Sequence, residues 1–192
     1  FDGPEAAKAA AKAAIDAGEA QYARMSGVPK LNQAVAGAFA GRTGLTIDPD
    51  AHVTITSGCT EAIAATFLGL INPGDEVILF EPFYDSYRAC VAMAGARPRF
   101  VTLRPGLGVG GKGFGFDPEE LRRAFTDKTR AILVNTPHNP TGKVFTRTEL
   151  ELIAGLCRDL NVMAITDEVY EHLTYDASKP HVSLASLPGM FE

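Results

Sequence analysis

The hydrophobic pattern of the chain alternates between short apolar runs and longer stretches whose apolar residues recur at helical spacing. The short runs lie at residues 52–56, 76–80, 99–103, 131–134 and 162–166. Each is shorter than a typical helix and rich in apolar or β-branched residues, which is typical of buried strands. Five strand–helix alternations predict right-handed crossovers, and therefore an α/β fold with a mostly parallel sheet.

Two helices are predicted before this alternating region. Residues 2–3 precede Pro4, which predicts an N-cap at Asp2 or Gly3 with proline at the first helical position, and the alanine-rich stretch stops at Gly18. A second helix is predicted over residues 30–42.

Two later segments carry the signature of a capping box, in which an N-cap side chain and a Glu three positions later each accept a bond from the other's backbone amide. They lie at residues 117–120 and at Thr146 with Glu149. The glycine-dense stretch 105–116 predicts a mobile surface loop or a hairpin.

Composition narrows the class of protein. The 192 residues are 46% hydrophobic and 21% charged, with a net charge of −5. No apolar run approaches the roughly 18 residues that span a bilayer, so we expect no membrane partner and a cytoplasmic location. No Lys/Arg cluster forms a nucleic-acid surface, so we expect no nucleic-acid partner. Three widely spaced cysteines without a CxxC pattern predict reduced thiols. The chain has no start methionine, and we expect it to be part of a longer protein.

Asp167 ends the apolar run 162–166. In an open α/β sheet, residues just past the carboxyl end of a strand face the crevice where ligands bind, so Asp167 is predicted to face a site. Two alternatives are a cap of the following turn and a metal-holding carboxylate, as in nucleotide hydrolases. The second lacks a phosphate-binding lysine loop, and no histidines show ligand spacing, so no metal site is predicted.

Residues 57–62 join a predicted strand directly to a helix. Unpaired amides in the first helical turn bind an anion, Gly58 permits close approach of the backbone, and Thr60 offers a hydroxyl, which together predict a phosphate site. The alternative is an ordinary tight turn with Thr60 as its N-cap. Neither a Walker loop nor GxGxxG is present.

Two further strand ends carry candidate residues. Tyr84 could stack on a flat ring, although an aromatic residue that opens a helix is more often part of the core. Prolines in residues 135–142 restrict the backbone and give Asn139 a defined direction, although turn chemistry explains much of this motif. His138 is predicted to be a surface or supporting group, and Tyr170 completes this edge.

Taken together, these segments resemble the class I/II aminotransferases, pyridoxal-phosphate-dependent enzymes of fold type I. The resemblance covers almost the whole chain and rests on residues 1–4, 21–22, 57–62, 81–84, 135–142 and 167–170. It implies a three-layer, doubly wound, mostly parallel sheet that is incomplete in this chain. Residues 1–44 would be an amino-terminal helical segment leading into the large domain. Residues 45–192 would be part of the pyridoxal-phosphate-binding domain, without its carboxy-terminal part or the small domain.

The resemblance implies how the ring of pyridoxal 5'-phosphate is held. Asp167 would stabilise the protonated ring nitrogen, on which the electron-withdrawing power of the ring depends. Asn139 and Tyr170 would hydrogen-bond the phenolic oxygen, and Tyr84 would stack on the ring face.

The resemblance also implies a phosphate site and a subunit arrangement. The amides of Cys59 and Thr60, with the Thr60 hydroxyl and the adjacent Gly58, would hold the phosphate. Tyr22 would reach the phosphate of the neighbouring subunit, which implies a homodimer with shared sites.

The catalytic lysine is the main departure from the family. In this family a lysine downstream of the pyridine-binding aspartate forms the Schiff base, and here only Lys179 follows Asp167, on a predicted surface loop. The expected lysine would lie beyond Glu192, so we assign no catalytic residue and expect these residues alone to be inactive. The arginine that grips the substrate carboxylate is expected outside the chain as well.

The full-length protein is expected to move an amino group between an L-amino acid and a 2-oxo acid. The amino-terminal motifs are most similar to enzymes of methionine, aromatic amino acids or kynurenine, and succinyl-diaminopimelate and aspartate enzymes use similar segments. One alternative is a pyridoxal-phosphate-dependent carbon–sulfur β-lyase. Another is an aminotransferase-like sensor domain of a transcription regulator, which would require a basic winged-helix segment upstream of Phe1.

Overall fold

Helices and strands alternate along most of the chain in the computed structural model, which describes residues 2–176 and 178–191. The helices are α1 (Glu5–Asp16), α2 (Pro29–Thr43), α3 (Gly58–Leu70), α4 (Ser86–Met93), α5 (Pro118–Ala124) and α6 (Arg147–Leu160). The strands are β1 (Glu76–Glu81), β2 (Arg97–Thr102), β3 (Arg104–Pro105), β4 (Phe114–Gly115), β5 (Thr129–Asn135) and β6 (Met163–Asp167). Short 3₁₀ turns lie at Val109–Gly111 and Leu184–Ser186.

Four strands form one parallel sheet in the order β2-β1-β5-β6. Their carboxyl ends therefore lie at one edge, which we call the carboxyl edge. The register of β5 and β6 pairs Asn135 with Asp167, so the last residues of these two strands are neighbours at that edge. The predicted α/β class with a mostly parallel sheet is confirmed.

The core has two halves, one on each face of the sheet. On β1, Val77 and Leu79 point to the face covered by α3 and α4, whereas Ile78 and Phe80 point to the face covered by α5 and α6. This alternation follows from the period of two in a strand. Helices on both faces produce the predicted three layers. The central strands β1 and β5 are apolar on both sides because both of their sides are buried, whereas the edge strand β2 is partly exposed.

The prediction of a strand at residues 52–56 is wrong. Within this segment the amide of Ile55 donates to the carbonyl of Ser26, and the side-chain amide of Asn32 donates to the carbonyl of Val53. Its backbone is therefore paired with α2 and the loop before it rather than with a strand. A β-branched composition favours an extended backbone, but a strand of a sheet also needs a neighbouring strand with which it can form hydrogen bonds.

Of the two predicted capping boxes, one is present and one is not. The Thr146 capping box is confirmed, because its hydroxyl accepts from the Glu149 amide and the Glu149 carboxylate accepts from the Thr146 amide. The box at residues 117–120 is wrong: Asp117 accepts from the Glu119 amide, but the Glu120 carboxylate binds the amide of Thr102, on β2, and the side chain of Arg104.

Two other expectations concern the ends of elements. The N-cap of α1 is Pro4 itself, without a side-chain cap, so the prediction of Asp2 or Gly3 is wrong by one or two positions. The stretch 105–116 is a hairpin, in which β3 and β4 pair antiparallel. Within the described ranges, no helix combines the length and the apolar character that crossing a bilayer requires.

Candidate functional site

A cavity of about 150 Å³ lies at the carboxyl edge, between the ends of β5 and β6 and the first turn of α3. We call it the Asp167 cavity. It is lined by Cys59, Thr60, Ile63, Tyr84, Tyr87, Asn135, Asn139, Asp167, Val169 and Tyr170. Six of the eight predicted site residues are therefore brought together from four separate segments. Gly58 directly precedes Cys59, whereas Tyr22 lines no part of this cavity and is fully exposed.

Asp167 is the most tightly constrained of these residues. It is only 6% exposed, its Oδ2 accepts a hydrogen bond of 2.6 Å from the Tyr87 hydroxyl, and its Oδ1 accepts one of 3.1 Å from the Val169 amide. The bond from Val169 matches the turn-capping alternative. That contact engages one oxygen only, and carboxylate oxygens accept more than one bond, so capping and ligand binding are compatible.

Asn135 connects the two segments that flank the cavity, and sequence reasoning missed it. Its side-chain amide donates to the carbonyl of Asp167 at 2.9 Å, and its side-chain carbonyl accepts from the Asn139 amide at 2.7 Å. It is 2% exposed; its bond to the Asp167 carbonyl is buried, and its bond from the Asn139 amide is partly buried. The available signal was its position as the last residue of a strand next to the Asp167 strand.

The amino terminus of α3 presents free donors to the cavity. Gly58 adopts φ of 80°, which favours glycine, and starts the helix so that the amides of Cys59 and Thr60 lie in its first turn. No described residue accepts a hydrogen bond from either amide, whereas the Ser57 amide is bonded to the Glu61 carboxylate. Two unpaired amides at a helix start form an anion-binding arrangement.

The Cys59 thiol beside these amides is a poor nucleophile. Burial, followed by the nearby Asp167 charge, raises its pKa to about 11. The thiol therefore stays protonated at neutral pH, the form that is a weak nucleophile.

Tyr84 and Tyr87 both line the cavity, but only Tyr87 is buried in the core. Tyr84 is 41% exposed and packs edge-on against Tyr87, with ring centroids 5.8 Å apart and planes at 67°. Tyr87 is 2% exposed, and it is this residue that belongs to the core. Burial, followed by its hydrogen bond to Asp167, raises the pKa of Tyr87 far above its ordinary value, so its hydroxyl remains a donor. Sequence reasoning missed Tyr87, because no pattern in the neighbouring residues marks it as part of a site.

The chain belongs to a family that its sequence identifies directly. The sequence model described as Aminotransferase class I and II matches residues 2–189. This is an aminotransferase-family chain. The family resemblance predicted from the motifs is thereby confirmed.

Individual relatives agree with this assignment. The chain is 48% identical over 191 residues to the probable N-succinyldiaminopimelate aminotransferase DapC of Mycobacterium tuberculosis, covering 100% of this chain and 47% of that protein. It is 46% identical over 177 residues to human kynurenine–oxoglutarate transaminase 1, covering 90% of this chain and 42% of that protein.

Solved structures share the fold. The N-succinyldiaminopimelate aminotransferase of M. tuberculosis matches with a TM-score of 0.93 at 48% identity, over 99% of this chain and 48% of that one. The aromatic aminotransferase of Pyrococcus horikoshii matches with a TM-score of 0.92 at 36% identity, over 100% of this chain and 50% of that one. The chain thus spans about half the length of the relatives it matches.

A larger cavity of about 510 Å³ adjoins the first, because Asn139 and Tyr170 line both. Lys179 lines the larger cavity, where it is half exposed and lies 3.5 Å from Asp176. Among the residues that the structure describes, no lysine lines the Asp167 cavity. In this aminotransferase-family chain, Lys179 therefore lies outside the group around Asp167.

His138, in the loop after β5, is buried and supports that loop. It is 3% exposed, so the surface alternative is wrong, and its Nδ1 lies 2.8 Å from the Thr141 hydroxyl. Burial, followed by the Lys143 charge, lowers the pKa of His138 to about 4. Lys143 itself is paired with Glu149 at 2.7 Å.

Stability is expected to fall in acid because of His138. The folded state holds its pKa at about 4, below the ordinary value, so between pH 6.5 and 4 the unfolded chain binds more protons and stability is lost as pH falls. A shift of this size corresponds to roughly 3 kcal/mol. Urea unfolding of the full-length protein at pH 7 and pH 4.5 should show a smaller loss in His138→Gln than in wild type. The exposed His172→Gln should behave like wild type, and equal losses in all three would contradict the assignment.

One other group of side chains at this end of the sheet has metal-ligating types. Ligand atoms of Glu168, Glu171 and His181 lie within 4.8 Å of one another. Arg42 pairs with Glu171 at 2.8 Å, and the Ser183 hydroxyl donates to Glu168 at 2.9 Å. These contacts, with that between His181 and Glu168 at 3.1 Å, account for the group as a polar network.

Proposed function

We propose that this chain supplies the pyridoxal-5'-phosphate-binding part of an aminotransferase, which exchanges an amino group between an L-amino acid and a 2-oxo acid. The observation that carries the proposal is one cavity lined both by the carboxylate of Asp167 and by the start of α3, where the amides of Cys59 and Thr60 have no acceptor among the described residues. Membership of the aminotransferase class I and II family supports it.

The donor set fits the phosphate end of the cofactor. The amides of Cys59 and Thr60 and the hydroxyl of Thr60 provide neutral donors, and the helix dipole favours an anion at this position. Gly58 keeps the backbone approach open. The Glu61 carboxylate is bonded to the Ser57 amide, so it leaves the amides of Cys59 and Thr60 free.

The donor set at the opposite end fits a cationic heteroaromatic ring. Asp167 would stabilise a protonated ring nitrogen, because an opposite charge in a buried setting favours the charged form. Asn139 and Tyr170 offer polar groups for the phenolic oxygen, and the exposed face of Tyr84 offers a stacking surface. When bound, pyridoxal phosphate supplies the electron sink for bond cleavage at the amino-bearing carbon.

Several parts of the working enzyme are proposed to lie outside this chain. The chain spans about half the length of its relatives, and no lysine lines the Asp167 cavity among the described residues. We place the cofactor-anchoring lysine and the substrate-carboxylate arginine in the remainder of a longer parent protein, and we expect the 192 residues alone to be inactive. Residues 1–44 are proposed to lead into the large domain formed by the rest.

The parent protein is proposed to be a cytoplasmic homodimer. The Tyr22 side chain is fully exposed. An exposed position is what we expect of a side chain that completes the phosphate site of a neighbouring subunit. The exposed Met25 lies in the same loop. Substrates are small amino acids and 2-oxo acids, and the named relatives suggest N-succinyl-diaminopimelate and kynurenine as the first donors to examine.

A two-step assay of the parent protein tests the proposal. The protein is loaded with pyridoxal phosphate and given one donor at a time: N-succinyl-diaminopimelate, kynurenine, methionine, an aromatic amino acid or aspartate. A productive donor should change the absorbance of the bound cofactor and release its 2-oxo acid without any acceptor. Adding 2-oxoglutarate should then restore the absorbance.

The outcomes separate the competing functions. Pyruvate and ammonia released from a cysteine conjugate, without amino transfer, would identify a β-lyase. Cofactor binding without turnover of any donor would favour a sensor. Turnover by the isolated 192-residue chain would contradict the proposed need for the missing lysine.

A further inference from the structure

The Tyr87 hydroxyl contacts Asp167 from behind the proposed cofactor site. Its oxygen lies 2.6 Å from Asp167 Oδ2, although the two residues are 80 positions apart in the chain. The length is that of a strong bond between a hydroxyl and a carboxylate. None of the family motifs on which the resemblance rests includes this residue.

The position of the Tyr87 ring is set by the core rather than by Asp167. It is 2% exposed and belongs to the cluster that also contains Phe67 and Leu79. The hydroxyl therefore arrives at Asp167 from a rigid element, helix α4, and not from a mobile loop. Interior side chains are packed as closely as in crystals, which limits the positions that the hydroxyl can take.

Two donors approach the Asp167 carboxylate from different elements. Tyr87 holds Oδ2, and the Val169 amide holds Oδ1 at 3.1 Å. With both oxygens held, the plane of the carboxylate is defined. Capping the turn needs only the bond from the Val169 amide, so the bond from the Tyr87 hydroxyl requires a separate explanation.

We propose that Tyr87 is a positioning residue, whose hydroxyl orients the Asp167 carboxylate toward the ring nitrogen of the cofactor. This inference rests on the proposed function. Tyr87 touches neither cofactor nor substrate in this role. It makes the Asp167–nitrogen bond stronger by holding the acceptor in place before the ring arrives.

The test measures how much the site gains from the ring nitrogen itself. Apo parent protein is titrated with pyridoxamine phosphate and with its analogue in which a CH group replaces the ring nitrogen. The ratio of the two dissociation constants isolates the nitrogen contact. Both ligands are measured on one preparation, so a reduced folded fraction affects both and cancels in the ratio.

Wild type should prefer pyridoxamine phosphate, and Tyr87→Phe should reduce that preference by roughly tenfold, as expected for loss of a hydrogen bond to a charged group. Asp167→Asn should remove the preference almost completely. In the double variant, Tyr87→Phe should have no further effect, because its role acts through the Asp167 carboxylate. Tyr175→Phe, whose side chain is 94% exposed, is the matched control and should keep the wild-type ratio.

Two failures are distinguishable. If wild type binds both ligands equally, the proposed function fails, because no carboxylate then recognises the ring nitrogen. If wild type discriminates and Tyr87→Phe discriminates equally well, only the positioning role fails. Equal weakening of both ligands by Tyr87→Phe would also contradict it, since that result indicates a general structural role.

Discussion

Asp167→Asn in the parent protein is expected to lower the rate of amino transfer by roughly a hundred- to a thousandfold or more, the size typical of removing a preorganised electrostatic contact. Asparagine has nearly the shape of aspartate and can still accept from the Val169 amide, so the turn should survive. What is lost is the negative charge that we propose faces the ring nitrogen. Without that charge the protonated ring is no longer favoured, and the electron-withdrawing power of the cofactor falls.

The measurement is a comparison of amino-transfer rates at saturating cofactor, so that weaker cofactor binding does not contribute. Asp159→Asn is the matched control, because Asp159 is exposed in the last turn of α6, away from the carboxyl edge. It should transfer amino groups at the wild-type rate. An Asp167→Asn variant within a few-fold of wild type would remove the chemical basis of the proposed function.

Asn135→Ala is expected to destabilise the parent protein by about 2–3 kcal/mol and to weaken its binding of pyridoxal phosphate. The substitution leaves the partly buried Asn139 amide without its acceptor and removes one of the donors to the Asp167 carbonyl. The Thr136 amide also donates to that carbonyl, so the β6 end should be loosened rather than unfolded. Asn139 loses its fixed direction, which explains the expected effect on the cofactor.

Two measurements test the Asn135 prediction. Urea unfolding reports the loss of stability, and equilibrium dialysis reports the dissociation constant of the cofactor. Asn72→Ala is the control, since Asn72 is exposed. Its backbone amide donates to the Asp75 carboxylate, but its side chain makes no hydrogen bond to any described residue. Wild-type stability together with wild-type cofactor affinity in Asn135→Ala would show that the bridge between β5 and β6 is unimportant.

Asp167→Asn and Asn135→Ala are expected to affect different properties of one site. Asp167 is proposed to act on the cofactor directly, so its variant should affect rate far more than stability. Asn135 holds two segments together, so its variant should affect stability and affinity together. Thermal unfolding and turnover measured on the same preparations would separate the two classes.

Most of the candidate site was predictable because its residues stand at chain positions with a local meaning. Asp167 ends an apolar run, Asn139 lies between two prolines, and Gly58 joins an extended segment to a helix. Each signal depends on neighbours within a few residues. Parallel strands then bring such positions to one edge without any further information, because all carboxyl ends of a parallel sheet lie on the same side.

Contacts between distant segments could not be predicted in this way. Tyr87 meets Asp167 across 80 positions, and nothing in the sequence near Tyr87 distinguishes it from an ordinary buried aromatic residue. Glu120 has the spacing of a capping box, yet its carboxylate is used by Thr102 and Arg104. Glu120 therefore binds partners from a distant segment and not the backbone amide of Asp117, which a capping box would require.

By itself the sequence determined the α/β class, the family and most of the residues around the Asp167 cavity, because apolar period, turn chemistry and strand ends are encoded over short windows. Only the tertiary structure decided which groups hold those residues in place: Tyr87 and Asn135 at the site, and Asn32 for the extended segment that pairs with no strand. The physical reason is that a hydrogen bond between distant segments depends on how whole elements pack, and no short window of sequence contains that information.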